Sequence, residues 1–140
     1  MNHLAGWDLI IAFPPCTYLT SGRNGHPVNW TERDKALLFV MKIAEAPCDH
    51  IAIENPVGAI STQLWKPTQV IQPYWFGEPW HKRTCLWLFG DLPPLQPTNV
   101  VKATGHWVSS GGRHSQNTKG TRAITFQGIA RAMAQQWGSI

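Results

Sequence analysis

Two consecutive prolines, Pro14 and Pro15, cut off an apolar run, Trp7-Asp8-Leu9-Ile10-Ile11-Ala12-Phe13. A continuous run of this length reads as a buried strand of a parallel sheet, covered on both faces. Proline has no N–H to give to a ladder, so the strand must stop at Pro14. The residue that follows the two rings is a thiol, Cys16. The strand therefore delivers a cysteine to its own carboxyl end, on a turn that two prolines stiffen.

The pattern beyond this point alternates. Residues 16–30 hold Gly22, Gly25, Pro27 and two Asn, and read as a loop. Thr31 and Asp34 form a candidate cap for a helix from about Glu32 to Ala46. That helix would bury Ala36, Leu37, Val40, Ile43 and Ala44. His50-Ile51-Ala52-Ile53-Glu54 is a second short buried strand, stopped by Asn55-Pro56. Val70-Ile71-Gln72 and Thr84-Cys85-Leu86-Trp87-Leu88-Phe89 are the next two. Residues 91–121 are rich in Pro, Gly, Ser, Thr and Asn and read as one long basic loop. A last helix opens at Thr125 or Phe126, with Ile129, Ala130, Met133, Ala134 and Trp137 at helical spacing, and ends at Gly138. Strands alternating with helices predict an α/β sheet.

At 140 residues the expectation is one domain over residues 1–140. The 43% hydrophobic fraction suffices for a core and excludes a disordered chain. No apolar run approaches the roughly 20 residues of a membrane helix, and no secretion signal is visible. The expected location is therefore cytoplasmic. The three cysteines, Cys16, Cys48 and Cys85, form no zinc pattern, and an odd count argues against a disulfide framework. Cys48 and Cys85 read as packing residues. A net charge of +4 permits a polyanionic partner without demanding one. The eight Trp serve packing, or some of them form base-stacking platforms.

In α/β sheets, ligands sit beyond the carboxyl ends of the strands. Cys16 and Glu54 both stand there. If their strands pair in parallel, about 4.8 Å apart, the two can face one pocket. A thiol there is a candidate nucleophile and a carboxylate a candidate proton donor or acceptor. The alternative is an ordinary buried cysteine and a capping carboxylate. His81-Lys82-Arg83 suits a phosphate or carboxylate partner, or is a solvated turn. Lys102, Arg113, Lys119 and Arg122 give the long loop a composition that fits a nucleic-acid backbone, or an exposed loop without function.

Phe13-Pro14-Pro15-Cys16 after a strand resembles the Pro-Pro-Cys motif of C5-cytosine DNA methyltransferases. Glu54-Asn55-Pro56 resembles that family's Glu-Asn-Val, with Pro56 in place of Val. Gly77-Glu78-Pro79 leading through Lys82-Arg83 to the strand Cys85 to Phe89 is similar to a third motif, and Gly128 to Ala134 to the closing helix. The motifs follow the family's order, and phage-type methylase-like proteins read much like this chain. The resemblance implies a Rossmann-like methyltransferase sheet with flanking helices. It implies that DNA is the partner and S-adenosylmethionine the methyl donor. Cys16 would attack C6 of a cytosine flipped from the duplex. Glu54 would hold and protonate N3, and Asn55 would help hold the Glu54 loop. Pro14, Pro15, Asn55, Pro56, Lys82 and Arg83 would line the substrate. Lys82 would replace the first arginine of the third motif, and Lys82 or Arg83 would lower the thiol pKa if close.

The chain departs from the family in two respects. The Phe-x-Gly-x-Gly turn that wraps the donor is absent, as is the acidic residue after the next strand, so the donor site is incomplete and the N-terminal strands are missing. Thr84 stands where the third motif has its second arginine. A central strand over residues 8–13 would then carry one bare apolar edge, which invites a second copy or a separate chain. A DNA- or nucleotide-binding module without catalysis is the alternative function. No metal is expected.

Overall fold

The computed structural model describes residues 4–20, 27–107 and 125–140. Along the chain the elements are β1 (Ile10–Ala12), α1 (Trp30–Ala44), β2 (Ile51–Pro56), α2 (Ala59–Gln63), β3 (Gln69–Ile71), β4 (Trp80–His81), β5 (Thr84–Phe89), β6 (Gly105–His106) and α3 (Gln127–Trp137). They group into two compact units. The first comprises residues 1–70 and 84–94 with residue 140; the second comprises residues 71–83 and 95–139.

The first unit is built on a four-stranded sheet in the order β1-β2-β5-β3. β1 and β2 run parallel, with Ile10 opposite Ile51 and Ala12 opposite Ile53. The 15-residue helix α1 supplies the crossover that a parallel pair requires. β2 and β5 run antiparallel, from Ile51 opposite Phe89 to Pro56 opposite Thr84. The sheet is thus mixed, where a parallel one was expected. The α/β class stands, with three α-helices and two sheets among the described residues.

β1 corrects a second expectation. It is three residues long rather than seven, and each of them is half-buried. The reason is its position. Among the described residues β1 is the edge of the sheet, with β2 as its one neighbour, so water reaches it where a central strand would be covered. Phe13, the last residue of the apolar run, is 42% exposed.

The core lies between α1 and the middle strands. Val40 and Ile43 of α1 pack with Ile51, Ile53, Ile60, Cys85 and Trp87, while Ala36, Leu37 and Ala44 complete the face. Each large aliphatic side chain so buried contributes about 1.5–3 kcal/mol over an exposed one. Trp87 keeps its indole N–H satisfied by donating to the Trp65 carbonyl at 2.9 Å. Asn29, rather than Thr31, caps α1: its side-chain oxygen accepts from the Glu32 N–H at 3.1 Å. The helix therefore begins two residues earlier than the Thr31 pattern suggests.

In the second unit, β4 and β6 pair in parallel, Trp80 with Gly105 and His81 with His106. The segment expected as one loop over residues 91–121 therefore contains a strand. Trp107 contacts Trp80 and Phe126 edge to face, with centroids 5.3 and 5.1 Å away. α3 buries Gly128, Ile129, Ala132, Met133 and Trp137. Ala130 and Ala134, expected on the buried face, are exposed. The stripe is rotated because Gly128 rests on the Phe76 carbonyl, where a Cβ would come within 1.9 Å of the oxygen. Among the described residues, no helix is long and apolar enough to cross a membrane.

Candidate active site

The parallel ladder of β1 and β2 ends at the Ala12–Ile53 pair. One step further the chains carry Phe13 and Glu54, and two steps further Pro14 and Asn55. Here the ladder is replaced by a side-chain bond. Asn55 is 1% exposed, and its Nδ2 donates to the Pro14 carbonyl at 2.8 Å. Proline at 15 cannot donate, so this bond carries the strand contact past the point where backbone pairing ceases.

Beyond Pro15 the chain turns tightly. The Cys16 carbonyl accepts from both the Leu19 and Thr20 N–H groups at 3.0 Å. The turn returns to the second segment, where the Leu19 carbonyl accepts from the Ala59 N–H at 2.7 Å and Thr20 bridges to Gly58. Gly58 is required by this approach, since a Cβ there would lie 1.8 Å from the Leu19 oxygen. Segments 12–20 and 53–59 are thus joined at three levels: the ladder, the Asn55–Pro14 bond and the Leu19–Ala59 contact.

Cys16 stands at the head of this turn as a free, half-buried cysteine. Its thiol makes no hydrogen bond among the described residues. Glu54 is half-buried between the buried Ile53 and Asn55, with Leu86 opposite it on β5. Strand alternation sends Glu54 and Asn55 to opposite faces of the sheet. Pro14 is buried, Pro15 exposed and Pro56 half-buried. The sequence-derived set Pro14, Pro15, Cys16, Glu54, Asn55 and Pro56 therefore gathers at one end of the β1–β2 pair.

Lys82 belongs to the second unit, where its N–H donates to Gln72 Oε1 at 2.8 Å and its Nζ lies 5.7 Å from the Phe126 ring centre. Arg83 and Lys102 are exposed. Arg113, Lys119 and Arg122 lie outside the described residues. Cys85 is core, and Cys48 donates its S–H to the His50 carbonyl at 3.2 Å, so both are packing residues. Trp87 and Trp137 are fully buried packing residues, while Trp7 and Trp30 are more than half exposed.

Sequence reasoning missed Gly58, whose signal was a glycine two residues after Asn-Pro-like turn residues. It also missed two cavities beside the turn. One, of about 360 Å³, reaches from Tyr18 to Arg33 and Thr62. The other, of about 250 Å³, is apolar and lies between Pro15, Tyr18 and Phe39. S-adenosylmethionine carries a ribose and three charged groups, a sulfonium, an ammonium and a carboxylate, and a Gly-rich turn and a carboxylate are what usually hold a ribose-bearing ligand. Among the described residues lining the two cavities there is no carboxylate. Among the described residues, no three His, Cys, Asp or Glu gather to hold a metal ion. No protein-family model matches the chain, and neither curated proteins nor solved structures show a significant match to it.

Proposed function

We propose that this chain carries the covalent half of C5-cytosine methyltransferase chemistry, with Cys16 as nucleophile, Glu54 as acid and DNA as substrate, on a partial Rossmann-like sheet. One observation carries the reading. The Pro-Pro-Cys and Glu-Asn-Pro segments sit side by side at the carboxyl ends of two parallel strands, tied by the buried Asn55–Pro14 hydrogen bond. That is where an α/β sheet binds its ligands.

The chemistry follows from the residue types. A Cys16 thiolate forms a bond to C6 of cytosine. The C5=C6 electron pair moves onto C5, while Glu54 gives a proton to N3 and so stabilises the charge that develops. C5 is then nucleophilic. With only water present, C5 takes a solvent proton and gives up its own. The electron pair of the lost C5–H bond restores C5=C6, the C6–S bond breaks, the thiolate leaves, and N3 returns its proton to Glu54. The net result is exchange of the cytosine C5 hydrogen.

The experiment needs no donor. The full chain is incubated with mixed-sequence duplex DNA carrying tritium at cytosine C5, and label released to water is counted. Release by the wild type, lost in Cys16→Ser and in Glu54→Gln, is expected. Release that survives Cys16→Ser overturns the reading. A duplex bound without any release assigns the chain to DNA binding alone.

A further inference from the structure

The cavity of about 360 Å³ in the first unit has a composition that selects its ligand. Its walls are largely apolar, from Leu19, Val28, Val57 and Ala59, with the ring of Tyr18 beside them. Among the described residues lining it, Arg33 alone carries a charge. Its guanidinium carbon lies 5.3 Å from the centre of the Trp30 ring, and no carboxylate pairs with it among the described residues. A guanidinium pinned on an aromatic face has lost much of its rotamer freedom, and its N–H fork remains available for an anion. The neighbouring acid, Glu32, is engaged instead by Lys35 at 3.2 Å.

Size narrows the choice further. Small-molecule sites span roughly 300–1,000 Å³. This one is at the small end, enough for one nucleotide. A mostly apolar cavity with one fork-shaped cation fits a planar ring and sugar joined to a phosphate.

We propose that this cavity is a nucleotide subsite, with base and sugar against the apolar walls and phosphate on Arg33. The Leu19–Thr20 and Val57–Ala59 stretches that line it follow directly on the Cys16 turn and on β2. The phosphate assignment rests on the cavity itself; only the choice of cytosine as the base rests on the proposed function. The phosphate has two sources, a free nucleotide or a DNA strand.

Calorimetric titration of the full chain with deoxycytidine monophosphate, with deoxycytidine and with a short duplex separates these. Saturable binding of a phosphate-bearing ligand is expected. Arg33→Gln should weaken it roughly tenfold or more, the worth of a lost charge-assisted hydrogen-bond pair. Thr62→Glu, at an exposed lining position, should weaken it as well by repulsion. Deoxycytidine should bind the wild type and Arg33→Gln alike. Arg33-dependent binding of the monophosphate marks a free-nucleotide site, and of the duplex alone a strand-phosphate site. No binding of either, or equal binding by folded Arg33→Gln, overturns the proposal. Arg33-dependent binding together with no C5 exchange leaves the subsite standing and removes only the proposed chemistry.

Discussion

Asn55 holds Pro14 through a buried hydrogen bond of 2.8 Å, linking residues 41 positions apart. The bond sits where the β1–β2 ladder can no longer form, because Pro15 has no N–H. The oxygen of the same amide, Oδ1, is buried with no partner among the described residues. Among the described residues, the Nδ2 bond to Pro14 is thus the side-chain hydrogen bond that Asn55 makes.

Asn55→Ala leaves the Pro14 carbonyl buried and unpaired. It should cost about 1–3 kcal/mol of stability, the penalty of an unsatisfied buried acceptor. Chemical denaturation would measure this. Because the bond anchors the Cys16 turn, C5 exchange should fall further than the loss of folded protein explains.

Gly58→Ala drives a Cβ against the Leu19 carbonyl, at 1.8 Å in the unrelaxed backbone. Overpacking of this kind costs roughly 1–3 kcal/mol. A lowered midpoint in thermal unfolding is the expected outcome. An unchanged midpoint would mean that the contact between the Cys16 turn and the segment after β2 is dispensable.

The three cysteines should separate by reactivity. Cys16 is half-buried with a thiol free of hydrogen bonds among the described residues, Cys48 donates to the His50 carbonyl, and Cys85 is 1% exposed. Iodoacetamide under native conditions should label Cys16 first and Cys85 only after unfolding, as read by peptide mass spectrometry. Cys16→Ser should change stability by less than about 0.5 kcal/mol. Cys85→Ser buries a hydroxyl in the core and should cost about 1–3 kcal/mol.

Removal of the α1 cap is the fourth test. Asn29→Ala should cost about 1 kcal/mol, whereas Thr31→Ala should lie within about 0.5 kcal/mol of the wild type. Urea midpoints distinguish the two. The reverse order would place the cap at Thr31.

The candidate site was partly legible in one dimension. Pro14-Pro15-Cys16 and Glu54-Asn55-Pro56 each follow an apolar run, and both sit at strand ends in the structure. What joins them was not legible. Asn55 reads as a strand terminator, yet β2 includes it and continues to Pro56. Arg33 drew no notice in the sequence, because nothing in its neighbourhood along the chain announces the cavity.

Local periodicity determined the elements. Val40 and Ile43 on one face of α1, the unbroken run of β2 and the apolar strand at residues 84–89 are patterns that neighbouring residues write by themselves. Tertiary structure alone decided the edge position of β1, the antiparallel pairing of β2 with β5, and the β4–β6 pair inside an apparent loop. It also decided that Gly58 meets Leu19 and that Gly128 meets Phe76. These are choices of partner between distant segments. Burial favours any partner that covers apolar surface, and only the folded chain selects which one can approach closely enough to satisfy the backbone as well.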